Sequence, residues 1–228
     1  MERYKKFVIN LKRRPQRLKR FLDSCPLSFV KVIEGFDGVN YINEPETKQG
    51  IVKKFSLQTR GEVGCFLSHM RIYQEIVREN IQRALILEDD AIFSKNFTEK
   101  LEKVITELPK DFIIAYIGGR FQENFVMNPN TCIPISENIV QHKYPLQSWV
   151  DVDRTTHAYI ISNAGAKLVL SQFESSQIID CPFDKWLLFK ALEKNNVKIY
   201  NSTPLLCHSA LGSESDVRDA LGNYPNVL

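Results

Sequence analysis

Ala84-Leu85-Ile86-Leu87 is an unbroken apolar run that ends at three consecutive carboxylates, Glu88-Asp89-Asp90. A strand with one wet face alternates apolar and polar residues. A run with no polar position reads instead as a strand covered on both sides, as at the centre of an α/β sheet. Such a strand needs amphipathic helices above and below it. Thr59-Arg60-Gly61-Glu62 has the Thr-x-x-Glu spacing of a capping box, and Val63, Phe66, Leu67, Met70 and Val77 then keep to one helical face.

The same alternation extends along the chain. Strands are expected at Tyr4 to Leu11, Phe29 to Ile33, Phe112 to Ile117, Ala158 to Ile161 and Val197 to Tyr200. Helices are expected from Pro15 through Leu22, from Asn96 to Leu108, from Asn163 to Phe173 and from Pro182 to Glu193. Gly118-Gly119 reads as an exit turn, and residues 120–148 as a polar stretch without periodicity. The pattern predicts an α/β fold with a mostly parallel central sheet flanked by helices. The length of 228 residues suits one domain over 1–228, with a loosely held tail at 212–228.

Composition narrows the partners. Thirty basic against 27 acidic residues leave a net charge of +3, too small an excess to name nucleic acid. No apolar stretch approaches a membrane span or a signal-peptide core, and the five cysteines are scattered without a C-x-x-C pair. Reduced thiols and a cytoplasmic location are the expectation.

In an α/β sheet, ligands collect outside the carboxyl ends of the strands, which directs attention to Asn10 through Arg17, to Glu88 through Asp90 and to Gly118-Gly119. If the backbone stays extended, Glu88 and Asp90 share a face with Asp89 opposed, and two convergent carboxylates suit Mn²⁺ or Mg²⁺. The simpler alternative is that the two aspartates only open a turn. Lys12, Arg13, Arg14, Arg17, Lys19 and Arg20 crowd the start of the first helix, where cations oppose its dipole. A diphosphate would offset them, since guanidinium forks match phosphate oxygens; a solvated helix face is the alternative. The four histidines have no zinc-type spacing among themselves, but His208, after the apolar pair Leu205-Leu206, could complete a metal site. No Gly-rich phosphate loop and no G-x-S-x-G elbow is present.

RGEVGCFLSHMRIYQEIVRENIQRALILEDDAIF (Arg60 to Phe93) resembles the core signature of glycosyltransferase family 25, and FVINLKRRPQRLKRF (Phe7 to Phe21) its opening strand and helix. Weaker likenesses follow in HAYIISNAGAKLVL (His157 to Leu170) and CPFDKW (Cys181 to Trp186), so the resemblance spans roughly residues 5 to 210. It implies a nucleotide-sugar-binding fold of the GT-A type and an inverting transfer, most often of galactose from UDP-galactose, with Mn²⁺ (or Mg²⁺) at an acidic motif. By the same resemblance Glu88-Asp89-Asp90 take the metal and ribose-diphosphate role, Glu88 and Asp90 on the metal and Asp89 on the donor. Asn10, Arg14 and Arg17 fall near the nucleotide, while Arg60, Glu62, Ser68 and His69 touch ligand or brace the site. Asp184, in the first turn of a helix begun by Pro182, is the candidate general base for a single displacement.

The expected partners are a UDP-hexose donor and a glycan, lipooligosaccharide or glycoprotein acceptor, with peripheral membrane contact compatible and nucleic acid not. Two other readings stand beside this one. A metal-dependent nucleotidyltransferase or phosphohydrolase could use the same carboxylates, although a two-metal site usually needs a second acidic cluster. A non-catalytic sugar-binding member of the family is the other.

Overall fold

A computed structural model of the chain describes residues 4–38, 54–55, 60–119, 130–144, 155–209 and 216. Strand β1 (Lys5–Asn10) leads into α1 (Pro15–Ser24), with proline at the start of the helix as expected, and then β2 (Lys31–Glu34). The short β3 (Lys54–Phe55) precedes the long α2 (Arg60–Arg78). Next come β4 (Arg83–Glu88), β5 (Ala91–Phe93), α3 (Phe97–Glu107), β6 (Ile114–Tyr116) and β7 (Gly118–Gly119). Strands β8 (Cys132–Pro134) and β9 (Ile139–His142) pair with each other, and β10 (Ala158–Ser162) runs directly into α4 (Asn163–Ser176). The remaining elements are β11 (Ile178–Ile179), α5 (Phe183–Lys185) continued by a π-helical stretch at Trp186–Leu192, β12 (Ile199–Ser202) and β13 (Cys207–Ser209).

Eight strands form the main sheet in the order β2-β1-β4-β10-β6-β12-β9-β8, flanked by a β11-β3 pair and a small β5-β13-β7 sheet. The α/β class is as expected, and β4 lies inside the sheet between β1 and β10. Its side chains alternate between two cores. Ala84 and Ile86 join Phe7, Tyr159 and the apolar faces of α2, α4 and α5, whereas Leu85 and Leu87 join Val8, Ile160 and the faces of α1 and α3. Full burial of Leu85, Ile86 and Leu87 contributes about 1.5–3 kcal/mol each, which fixes the strand and hence the position of the carboxylates at its end.

The sheet is mixed rather than mostly parallel. β1 pairs in parallel with β2 and β4, and β12 with β6, but β10 runs antiparallel to both β4 and β6. β10 starts where β4 finishes, with Ala158 opposite Leu87, and so runs back along it. An apolar run carries no direction, so periodicity cannot tell the two cases apart. Four further expectations shift. Phe29 stays outside β2, 88% exposed with a left-handed backbone. Residues within the polar stretch form the β8–β9 pair, Gly118-Gly119 is a strand on β13 rather than a turn, and the regular structure continues past Tyr200. Thr59 and the tail, apart from Asp216, lie outside the described residues.

Helix α2 meets the segment after β2 at very close range. A Cβ on Gly64 would lie 2.5 Å from the Phe36 carbonyl oxygen and 2.8 Å from the Gly38 nitrogen, both backbone atoms. Alanine ordinarily gains about 0.5–1 kcal/mol over glycine inside a helix, but overpacking of this kind costs typically about 1–3 kcal/mol. Gly64→Ala is therefore expected to lower the urea midpoint at an unchanged slope. A raised midpoint would mean that helix and segment do not approach this closely.

Candidate active site

The ends of β1 and β4 lie side by side, with Ile9 opposite Glu88 in the parallel register. Both strands release their chains at the same edge of the sheet, and a pocket opens there, roughly 710 Å³ including its solvent mouth. Its walls are the turn after β1, the segment Phe36-Asp37-Gly38, the early turns of α2, and all three members of Glu88-Asp89-Asp90. Asp89 and Asp90 form a turn, so the strict alternation expected of an extended backbone stops at Glu88. The three carboxylates nevertheless converge on one cavity, because the turn curls around its floor.

Each carboxylate has a different environment. Glu88 accepts from Thr156 Oγ1 at 3.0 Å and faces His69 Nε2 at 3.4 Å. Burial pushes its carboxyl upward, but the His69 contact, the charges of His69 and His157, and the Thr156 bond outweigh that and hold it below the ordinary range. Asp89 is gripped on both oxygens, by Asn10 Nδ2 at 2.6 Å and by the Arg17 guanidinium. Burial still leaves it raised, against the pull of Arg17 and Asn10. For Asp90, burial and then the neighbouring Glu88 charge lift the carboxyl from 3.8 to about 7. Its Oδ1 is buried with no hydrogen-bond partner among the described residues.

The basic cluster at the start of α1 does find negative partners, and they belong to the protein. Asp216 receives Arg13 Nη1 at 2.7 Å, Arg14 Nη2 at 2.8 Å and Arg14 Nε at 3.1 Å on one oxygen, and Arg17 Nη1 at 3.1 Å on the other. Arg13 Nε also donates to Asp37 at 3.0 Å. Burial works against the Asp216 carboxylate, but Arg14 and Arg13 prevail and lower it.

Of the residues singled out from sequence, Arg17, Ser68, His69, Glu88, Asp89 and Asp90 line the pocket. Asn10 and Arg14 stand just behind the wall and act through Asp89 and Asp216. Ser68 is a brace: its hydroxyl donates to the Gly64 carbonyl at 2.6 Å and accepts from Phe36 N–H at 2.7 Å. His69, fully buried, shares a hydrogen bond with Tyr159 at 2.8 Å and stacks on Phe183 at 4.3 Å. Arg60 and Glu62 open α2 without lining the pocket, and Glu62 is buried. His208 sits on β13 opposite Ile92, half-buried, and is not among the lining residues described.

Asp184 lies in the first turn of α5, where its carboxylate accepts from Lys185 N–H at 2.8 Å. It is close enough to the pocket for its charge to add to the burial that raises the Cys65 thiol. Phe183 and Trp186, on either side of Asp184, are buried: Phe183 against His69 and Trp186 against Phe66. Sequence reasoning missed Asp216 and Asp37, which carry no local motif, and Tyr159 and Thr156, whose only signal is their place beside β4.

Fold and site together define an α/β protein with clustered carboxylates and guanidiniums in a single pocket at the strand ends. The chain belongs to glycosyltransferase family 25 (LPS biosynthesis protein), whose sequence profile matches residues 3–187. Mouse "Procollagen galactosyltransferase 2" is 29% identical over 227 residues, covering 89% of this chain and 34% of that protein. Mouse "Inactive glycosyltransferase 25 family member 3" is 32% identical over 195 residues, covering 79% of this chain and 31% of its own length. The chain thus spans about a third of the length of these relatives. Among solved structures, the apo form of mouse xyloside xylosyltransferase 1 is similar over 90% of this chain and 71% of that one, at 14% identity and a TM-score of 0.39, too distant to carry an argument.

The raised Asp90 carboxyl has a measurable sign. The folded chain keeps this proton where the unfolded chain has lost it, so Asp90 costs stability as pH rises from 3.8 to about 7. Asp90→Asn, neutral throughout, is expected to melt higher than wild type at about pH 8 without divalent ions, with the gap closing by about pH 4. Equal melting temperatures at both ends would place Asp90 in water rather than in the floor of the pocket.

Proposed function

We propose that this chain is a glycosyltransferase moving a hexose, galactose from UDP-galactose in the first instance, onto a hydroxyl of a glycan or glycoconjugate with help from a divalent cation. The observation that carries this reading is the pairing, across one pocket at the ends of β1 and β4, of an acidic turn with an arginine cluster. Family membership supports transfer chemistry. It does not decide it, since relatives of both kinds, transferase and inactive, match at similar identity.

The residues at the acidic turn fit a divalent cation. Among the described residues, Asp90 Oδ1 is buried and unpartnered, and five carboxylates line the pocket with two guanidiniums in its wall. That surplus of negative charge would repel a nucleoside diphosphate. Glu88 and Asp90 would hold the cation, and a bound ion would supply Lewis-acid stabilisation to the departing diphosphate. Arg13, Arg14 and Arg17 bind the diphosphate oxygens by paired charged hydrogen bonds. Asn10 and Asp89 keep Arg17 oriented. Asp184, in the first turn of α5 and close enough for its charge to reach Cys65 in the pocket wall, takes the proton from the acceptor hydroxyl.

Asp216 now occupies the guanidiniums that a diphosphate needs, and both anions cannot be held there together. Asp216→Asn is expected to tighten binding of UDP by roughly 1.5–3 kcal/mol, the scale of charged hydrogen bonds. Calorimetry showing weaker binding would make Asp216 an organiser of the arginines rather than a competitor.

The reaction itself is tested by incubating the chain with a panel of nucleotide sugars, Mn²⁺ and glycan acceptors while following nucleoside diphosphate release and acceptor mass. Release that requires acceptor and stops in excess chelator is expected. Full activity in chelator would remove the cation from the reading, and nucleotide binding without transfer would leave a sugar-binding member of the family.

A further inference from the structure

Cys65 and His69 are four residues apart on α2, so they stand one turn above each other on the same helical face. That face looks into the pocket towards Glu88. A sulfur, an imidazole nitrogen and a carboxylate oxygen from these three residues all lie within 4.8 Å of one another. His69 Nε2 and Glu88 Oε1 are 3.4 Å apart, long for a hydrogen bond between nitrogen and oxygen. That spacing matches the edge of a tetrahedron, about 1.6 times the centre-to-ligand distance, around an ion bonded at about 2.0–2.1 Å.

The supporting residues are those a metal site needs. A ligating histidine is usually fixed by a partner on its other ring nitrogen. Here His69 Nδ1 meets Tyr159 Oη at 2.8 Å, Tyr159 meets Tyr73 Oη at 2.7 Å, and Phe183 stacks on the ring. Thr156 Oγ1 donates to Glu88 Oε1, the oxygen that faces His69, and so fixes its position. Cys65 is partly exposed in the pocket wall, which gives an ion a way in and leaves a fourth position open.

We propose that Cys65, His69 and Glu88 form a site for a thiophilic divalent cation of the Zn²⁺ class, distinct in ligand chemistry from the oxygen-ligated cation at the acidic turn and sharing Glu88 with it. Thiolate and imidazole favour Zn²⁺ or Co²⁺ over Mn²⁺ and Mg²⁺. On binding, the thiol proton passes to solvent and the sulfur lone pair goes to the metal, with no change of oxidation state. Because Glu88 serves one ion at a time, a soft ion here withdraws a ligand from the acidic turn and inhibits what a hard ion supports. Only this inhibitory consequence rests on the transferase reading above.

Co²⁺ is the probe, added to the whole, fully reduced chain. Wild type is expected to show a thiolate-to-cobalt charge-transfer band with tetrahedral d–d bands, displaced by one equivalent of Zn²⁺. Cys65→Ser and Cys65→Ala, checked for unchanged far-ultraviolet circular dichroism, should lose the band and weaken Zn²⁺ binding by more than about tenfold. No band in wild type overturns the site. So does a band that persists in both variants, which would place the ion at the other cysteine–histidine contact, Cys132 with His142. In the transfer assay, Zn²⁺ should stop Mn²⁺-supported turnover in wild type at a concentration that leaves Cys65→Ser running; equal inhibition of the two overturns the sharing of Glu88. If no preparation transfers sugar, the transferase reading falls while the cobalt spectrum still decides the metal site.

Discussion

Asp89 is held by Asn10 from the end of β1 and by Arg17 from α1. That one side chain ties together the strand that opens the chain, the helix that follows it and the acidic turn after β4. Arg17 spends its other nitrogen on Asp216, so the same guanidinium joins the turn to the C-terminal region. Burying a carboxylate costs several kcal/mol unless it is paired and hydrogen-bonded, and Asp89 is both. Asp90, next in the chain, keeps one oxygen, Oδ1, buried without a hydrogen-bond partner among the described residues, and the contrast between the two neighbours gives the pocket its chemistry. The protein pairs the first carboxylate internally, while burial and the Glu88 charge raise the second.

Much of this was legible in the residues. The run Ala84 to Leu87 demanded two cores, and two cores flank it. The rule that ligands gather at strand carboxyl ends located the pocket from Asn10 and Glu88 alone. The direction of β10 was not legible, because hydrophobicity has a period but no polarity along the chain. Asp216 was not legible either: a lone aspartate in a small, polar tail has no pattern, and its meaning comes from three arginines about 200 positions away. The Cys65-x-x-x-His69 spacing was in plain view. Its partner Glu88 lies on a different element, so the spacing alone does not bring the three residues together.

The two cation readings follow from the same geometry. Glu88 stands between a hard environment, made of Asp90 and the turn, and a soft one, made of the Cys65–His69 face of α2. Thr156 fixes the Glu88 Oε1, and the tyrosine pair behind His69 fixes the imidazole that faces it. Phe183, stacked on His69, also connects this choice to the start of α5 and therefore to Asp184. A shift of the imidazole towards a metal would be felt one residue away from the proposed base.

The arginine–Asp216 contact has a practical side. Arg13 and Arg14 are more than a third exposed, so solution anions reach them directly. At physiological ionic strength charges are screened beyond about 8 Å, but a phosphate or sulfate ion seated between these guanidiniums is well inside that range. Buffer choice would therefore matter if phosphate displaced Asp216 from these guanidiniums: a sample purified in phosphate would carry a different anion at this position from one purified in a zwitterionic amine buffer. Affinities for phosphorylated ligands measured in the two would differ by the free energy of that exchange, with the same protein in both tubes.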